Sequence, residues 1–405
     1  GAPSPAFPAA SASDCLQRSP RGFFRSGLRA SLAPAEATRA RSGDPNLRTH
    51  PLLSSFGALL VALAPFPAFA QSATPSQGRA VSVRDRPHSD YDPLGLRFGG
   101  FKVNGALDLA ATSTDNLFAA SDSAKVDDIV YSETPTVRVA SDWSRHALAI
   151  EAGATLTQHR DFSGEDADSH YVRASGRVDV SHATSINGSV RVAHQVTPRT
   201  DPDSPLVGAP VEYDRVDTSL GVEHQFTRMK VSLSGGESTY RYDGSQSFRD
   251  NDESMLRGRL DFEVSPRLGL MVQASTDNRD YRNTPGLTSD ARTYLAGVTL
   301  DANLLRGELA VGHFERDFNN PAVGTLDGLA VAGNLEWYVT ELTTLSFTAR
   351  RDSDAQVSAS VGLPYVTTEF SARADHELLR NLIVSGEYQW GKREYASIDR
   401  TDDFN

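Results

Sequence analysis

The strongest constraint on this chain is a period of two. From about residue 97 onward, apolar and polar residues alternate in about fifteen segments, each roughly eleven to sixteen residues long. Leu148, Ile150, Ala152, Ala154 and Leu156 make one apolar row, with Ala149, Glu151, Gly153 and Thr155 between them. Val172, Ala174, Gly176, Val178 and Val180 alternate with Arg173, Ser175, Arg177 and Asp179, and Leu256, Gly258, Leu260, Phe262 and Val264 with Arg257, Arg259, Asp261 and Glu263. The same grammar recurs at Leu329–Val339 and Leu382–Trp390. Successive side chains of a strand point to opposite faces, so each segment reads as a strand with one apolar face. Strands of soluble sheets are mostly about five or six residues long, whereas a strand crossing a bilayer needs about nine to eleven. The expected spans are 99–112, 128–141, 146–159, 170–181, 185–197, 213–225, 229–242, 254–265, 268–281, 291–301, 304–317, 326–339, 343–353, 364–376 and 381–395.

The connections alternate in length. Short ones, such as Asp142–Arg145, Pro266–Arg267 and Thr340–Glu341, separate long polar ones, such as Asp161–Ser169 and Pro198–Pro210. Short turns at one end and long loops at the other describe an antiparallel up-and-down outer-membrane β-barrel. A soluble β-sandwich is the alternative fold, and it does not sort its loops this way. No stretch beyond residue 70 offers the 18 or so uninterrupted apolar residues of a membrane-crossing helix. The last strong segment ends near Tyr395, and a polar, loop-like stretch runs to Asn405. Single-chain bacterial barrels have even strand numbers, so the expectation is 16 or more strands with the closing strand missing.

One face of each segment is almost free of charge through its middle, and the other mixes Arg, Asp, Glu, Ser and Gln. A charge on the lipid face costs about 2–4 kcal/mol at mid-bilayer, so the mixed face should line a lumen. The alternation assigns Arg173, Arg177, Asp179, Arg191, Asp217, Glu223, Arg257, Arg259, Asp261, Glu263, Asp277, Arg279, Glu336, Arg350, Glu369, Arg373 and Glu387 to it, with Arg306 and Glu308. Those rows read as a hydrophilic channel or as a salt-bridged network bracing the wall. Aromatic residues near segment ends (Phe226, Tyr240, Tyr281, Trp337, Trp390, Tyr395) are expected to form interfacial girdles.

Ahead of the barrel, Arg48 and His50 precede an apolar run that ends in Ala68-Phe69-Ala70, the small-x-small pattern of a cleaved signal peptide. Residues 48–70 are therefore expected to be that signal. Residues 1–47 are expected to be an extension outside the mature protein, 71–96 a flexible periplasmic segment and 97–405 the barrel. The one cysteine, Cys15, lies in the extension, which excludes a disulfide scaffold. A net charge of −12 argues against nucleic acid as a partner. Export and acidity suit a bacterial outer membrane, with lipid and lipopolysaccharide as its surroundings.

The opening Asp92-Pro93-Leu94-Gly95-Leu96-Arg97, the glycine-rich first strand Phe98–Leu109, and the loop-edge patterns Arg160-Asp161-Phe162, Tyr240-Arg241-Tyr242, Arg279-Asp280-Tyr281 and Arg393-Glu394-Tyr395 resemble the bacterial β-barrel porins of the second type. The resemblance covers about residues 90–405. It implies an outer-membrane barrel and a conduit for secreted polysaccharide, and it supplies no catalytic residues; the cargo of such a conduit would pass by diffusion or be fed from a periplasmic export complex.

No catalytic motif survives inspection: there is no His-Glu-x-x-His, no Gly-x-Ser-x-Gly and no phosphate loop. No catalytic, cofactor-binding or metal-binding residues are assigned, and no cofactor is expected. Asp161, Asp166, Asp168 and His170 are the nearest approach to a rim hydrolase. The acidic residues Asp250, Asp252 and Glu253 read as solvated loop charge. The expectation is a passive channel for polysaccharide or oligosaccharide export. The alternative is a structural or adhesive barrel acting through its long loops.

Overall fold

The computed structural model describes residues 81–404 apart from 88–90, 119, 121, 198, 200, 202–203, 205–208, 358–361 and 397. The extension and the signal sequence expected at 1–70 lie outside the described residues. The chain forms 17 strands: β1 (Leu96–Phe98), β2 (Phe101–Thr114), β3 (Asp128–Ser141), β4 (Ala147–His159), β5 (Ala167–Asp179), β6 (Thr184–Val196), β7 (Glu212–Gln225), β8 (Met229–Tyr242), β9 (Asn251–Ser265), β10 (Leu268–Tyr281), β11 (Ser289–Ala302), β12 (Leu305–Phe318), β13 (Thr325–Thr340), β14 (Thr343–Val357), β15 (Gly362–Leu379), β16 (Leu382–Tyr395) and β17 (Thr401–Phe404). Four short 3-10 turns are the remaining regular elements among the described residues, and no helix there is long and apolar enough to cross a membrane.

Every strand pairs antiparallel with the next in the chain. This meander is what a chain in hydrocarbon must adopt, because backbone N–H and C=O groups there have only neighbouring strands as partners. The fifteen long strands coincide with the fifteen alternating segments. The sheet adds β1, a short hairpin partner to Phe101–Val103, and β17, which pairs with Gly391–Glu394. The stretch expected to be loop-like after Tyr395 thus holds a strand, because Thr401–Phe404 take up the free edge of β16. Among the described residues, β2 and β17 do not pair with each other, and the sheet is not closed.

The burial is inverted relative to a soluble protein. Ile150, Val172, Val192, Leu220, Leu233, Leu270, Val311 and Leu329 are large apolar side chains, and all are exposed, Leu220 to 61%. The charged rows on the other face are the better shielded. In water an apolar face of this extent would be an aggregation hazard, whereas in a bilayer it is the solvent-matched face.

Of the aromatics expected in girdles, Phe226, Trp337 and Trp390 are exposed on the apolar face. Tyr240, Tyr281 and Tyr395 are not. They are only 6–7% exposed, on the polar face. Parity along the strand decides this. Leu233 faces outward on β8 and Tyr240 is seven residues on, so it points the other way.

One glycine is dictated by geometry. Gly307 near the start of β12 has φ of 138°, and a Cβ there would collide with the Asn334 backbone of β13.

Leu220 and Ser219 are neighbours on β7 that face opposite ways. Leu220→Arg should destabilise the folded barrel by about 2–4 kcal/mol, and Ser219→Arg by much less. Urea unfolding midpoints in lipid vesicles test this, and equal losses would contradict the assignment of the two faces.

Candidate functional site

Contacts that skip strands identify the polar face as the concave one. Arg259 on β9 reaches Glu308 on β12 (2.7 Å), and Arg316 on β12 reaches Asp277 on β10 (2.7 Å). Side chains can span such distances along the chord of a curved wall, on its inner side only.

The concave face is neutralised strand by strand. Residues i and i+2 share a face, and an arginine repeatedly finds its carboxylate at that spacing. Arg177 Nε donates to Asp179 (2.7 Å), Arg215 Nε to Asp217 (2.7 Å), Arg259 Nη2 to Asp261 (2.7 Å), Arg350 Nη2 to Asp352 (3.0 Å) and Arg373 Nε to Asp375 (3.0 Å). Neighbouring strands add to this. Arg191 lies 3.8 Å from Asp217, Arg373 Nη1 donates to Glu387 (3.1 Å), and Ser238 Oγ donates to Asp217 (2.7 Å). Tyr338 donates to Glu336 (2.6 Å). Arg173 stands across from Glu151, which also takes bonds from Arg138 (3.0 Å) and the Tyr171 hydroxyl (2.8 Å). Glu369 is in register with Arg350, Glu223 stands between Ser185 and Ser232, and Glu263 lies exposed at the short-turn end of β9. Charge-assisted bonds of this kind are the strong class, and paired side chains hold fixed positions on the wall.

The β14–β15 hairpin departs from the wall. Pairing between β13 and β14 stops at Val331↔Arg351, while β14 and β15 stay paired to Val357↔Gly362. Freed from β13, the end of the hairpin folds onto the concave face, with the end of β16 still attached through Tyr365↔Tyr395. Val366 packs on Phe314, Phe318, Leu326 and Ala330. Ser353 Oγ accepts from Arg316 Nε (3.2 Å), and Asp354 accepts from Arg279 Nη1 (2.5 Å). Arg279 also lies 3.1 Å from Glu253 and 3.5 Å from Asp277, and Arg316 is 3% exposed. Arg279 and Arg316 therefore latch the hairpin to β9, β10 and β12.

This latch was legible only in part. Asp277 and Arg279 are on the polar face by alternation, but Glu253, Arg316, Ser353 and Asp354 belong to the cluster as well. Glu253 reads as loop charge when β9 is started at residue 254, yet β9 begins at Asn251 and Glu253 shares the parity of Arg257. Asp354 lies beyond the expected end of β14 at residue 353, and a strand running on to Val357 carries it inward. Arg215 and Arg316 share the parity of Asp217 and Glu308, a signal that was present in the sequence.

A second element covers the other end of the same strands. Residues 81–86, within the segment expected to be flexible, lie against the concave face at the short-turn end. Val83 N–H donates to Thr344 Oγ1 (3.0 Å), Arg86 Nη1 to Glu377 (3.1 Å), and Arg84 lies 4.0 Å from Asp375.

The rim residues do not assemble into a hydrolytic set. Asp166 accepts the His159 backbone N–H (2.7 Å) and Arg160 holds Asp161 (2.7 Å). His170 stacks on His194, which is 2.9 Å from Asp214. No group of three or more metal-ligating side chains occurs among the described residues.

A family model described as "Putative beta-barrel porin 2" matches residues 88–405. No curated protein matches the chain. Among solved structures, the chain is similar to a structure named "Copper transporter OprC" (TM-score 0.42, 13% identity, 74% of this chain and 61% of that one). It is also similar to the siderophore receptor PiuA from Acinetobacter baumannii (0.38, 11%, 76% and 60%) and the ferric yersiniabactin uptake receptor FyuA from Yersinia pestis (0.34, 10%, 76% and 70%). The chain spans about three fifths of the length of the first two.

The Arg279–Asp354 pair is partly buried, so removing its charge costs less than the about 3–5 kcal/mol of a fully buried pair but still loosens the hairpin end. Asp354→Asn should therefore give a larger and noisier unit current in a planar bilayer than the wild-type chain. An unchanged current would mean that the hairpin does not obstruct the path of ions.

Proposed function

This chain belongs to the beta-barrel porin 2 family, and we propose that it is an outer-membrane channel through which a polysaccharide or oligosaccharide leaves the cell. One observation carries the reading: large apolar side chains are exposed on one face of fourteen of the fifteen long strands, while arginines and carboxylates pair on the concave face. Such a wall separates lipid from water. Paired arginines, carboxylates and serines offer a sugar chain hydrogen bonds at close intervals, and their fixed positions leave little side-chain freedom to be lost when it passes. Barrels of about sixteen or more strands leave an aqueous lumen unless something fills it. Here the hairpin end lies over the inner side of β10–β13 and residues 81–86 over that of β14–β15, so the path runs along β2–β9. Transport along such a wall needs no bond-making chemistry, and we assign the protein no enzymatic role. A periplasmic export complex would feed the chain in from the short-turn side.

The covered half of the concave face favours one second reading, a barrel held shut that serves the envelope as a structural or adhesive element through its long loops.

Planar-bilayer recording separates the two. A channel gives discrete, stable current steps that oligosaccharides added on the short-turn side interrupt in a concentration-dependent way. A correctly inserted barrel that never conducts overturns the channel reading and leaves the structural one.

A further inference from the structure

On the concave face a guanidinium usually finds its carboxylate two residues along its own strand, and Arg257 breaks this pattern. Two residues before it stands Met255, and two after it stands Arg259, itself held by Asp261 and Glu308. Among the described residues, the hydrogen bond that Arg257 makes is a long one from Nη2 to Met255 Sδ (3.6 Å). Its Nε is shut off from solvent and has no acceptor. The charges acting on it are two more guanidinium groups, Arg259 on its own strand and Arg350 from β14, against a single carboxylate, Glu308. The register sets Ser234 of β8 and Ser275 of β10 directly beside it.

A shielded N–H without an acceptor is a cost that folding alone does not recover. The guanidinium fork matches a carboxylate in two parallel hydrogen bonds, and small hydroxyl residues on both sides leave room for a bulky ring to bring that carboxylate in. We propose that Arg257 is the binding point for an oxyanion carried by the transported chain, namely the carboxylate of an acidic sugar, with the Ser234 and Ser275 hydroxyls bonding to the ring hydroxyls beside it. This rests on the channel reading above and deepens it, because the cargo becomes a uronic-acid polymer rather than a neutral glucan. Binding here involves no covalent step.

Calorimetric titration of the protein in detergent tests the site separately from conduction. Trigalacturonate, maltotriose and inorganic phosphate are titrated into wild type, Arg257→Gln and Arg257→Lys, with folding checked by heat-modified electrophoretic mobility. The expected result is trigalacturonate binding that weakens about tenfold or more in Arg257→Gln and is partly retained in Arg257→Lys, as the loss of a bidentate charged pair requires. Maltotriose should bind all three proteins alike. Equal trigalacturonate affinity in wild type and Arg257→Gln overturns the proposal, as does no binding to wild type. Phosphate that binds as tightly as trigalacturonate, with the same dependence on Arg257, overturns the sugar assignment in favour of a free anion. A barrel that conducts nothing yet binds trigalacturonate through Arg257 defeats the channel reading and keeps the site. A conducting barrel without such binding does the reverse.

Discussion

Everything in this structure follows from a backbone that has nowhere to place its hydrogen bonds except on its own neighbours. Hydrocarbon offers no donor or acceptor, so each crossing strand must be paired along both edges. That requirement produces the uninterrupted antiparallel meander and fixes the strand period at two. With period two, each strand necessarily presents one row to lipid and one to the interior. The apolar rows and the charged rows are thus two results of one constraint.

The pairing ladder also explains where the wall yields. β13 and β14 part company at Val331↔Arg351, and the strand ends released there need new partners. β14 keeps β15, and the hairpin finds side-chain partners on the concave face: an aromatic floor of Phe314 and Phe318, and the charges of Arg279 and Arg316. Residues 81–86 occupy the other end of the same two strands. Many of the inner side chains most thoroughly removed from solvent, among them Met271, Ala310, Phe314, Ala330, Thr344 and Asp375, lie on β10–β15. The interior is therefore divided lengthwise into a packed side and a polar, more open side.

The fold was almost wholly legible in the sequence, because alternation over eleven or more residues has one structural meaning. All fifteen long strands could be read from it, and so could which face each arginine takes. What escaped depends on contacts between residues distant in the chain. Nothing near Ser353 or Asp354 announces that β14 will continue past its outer-wall pairing, since the cause lies in Arg279 and Arg316, more than thirty residues away. Position near strand ends groups Tyr240, Tyr281 and Tyr395 with Trp337, while their parity separates them. Alternation places Arg257 with the other inward arginines. That it has no carboxylate partner of its own appears only when the partners of Arg259 and Arg350 are known.

The placement of arginine and aspartate two apart on the same strand has a consequence for how such barrels can grow. Arg177 with Asp179, Arg215 with Asp217, Arg259 with Asp261, Arg350 with Asp352 and Arg373 with Asp375 each pair within one strand, even where Arg191, Glu308 or Glu387 adds a contact from another. A gene duplication that inserts another hairpin brings its charges already balanced. The interior potential seen by the existing strands is left as it was. Circumference can then change over evolutionary time in steps of two strands, without a compensating substitution elsewhere in the wall.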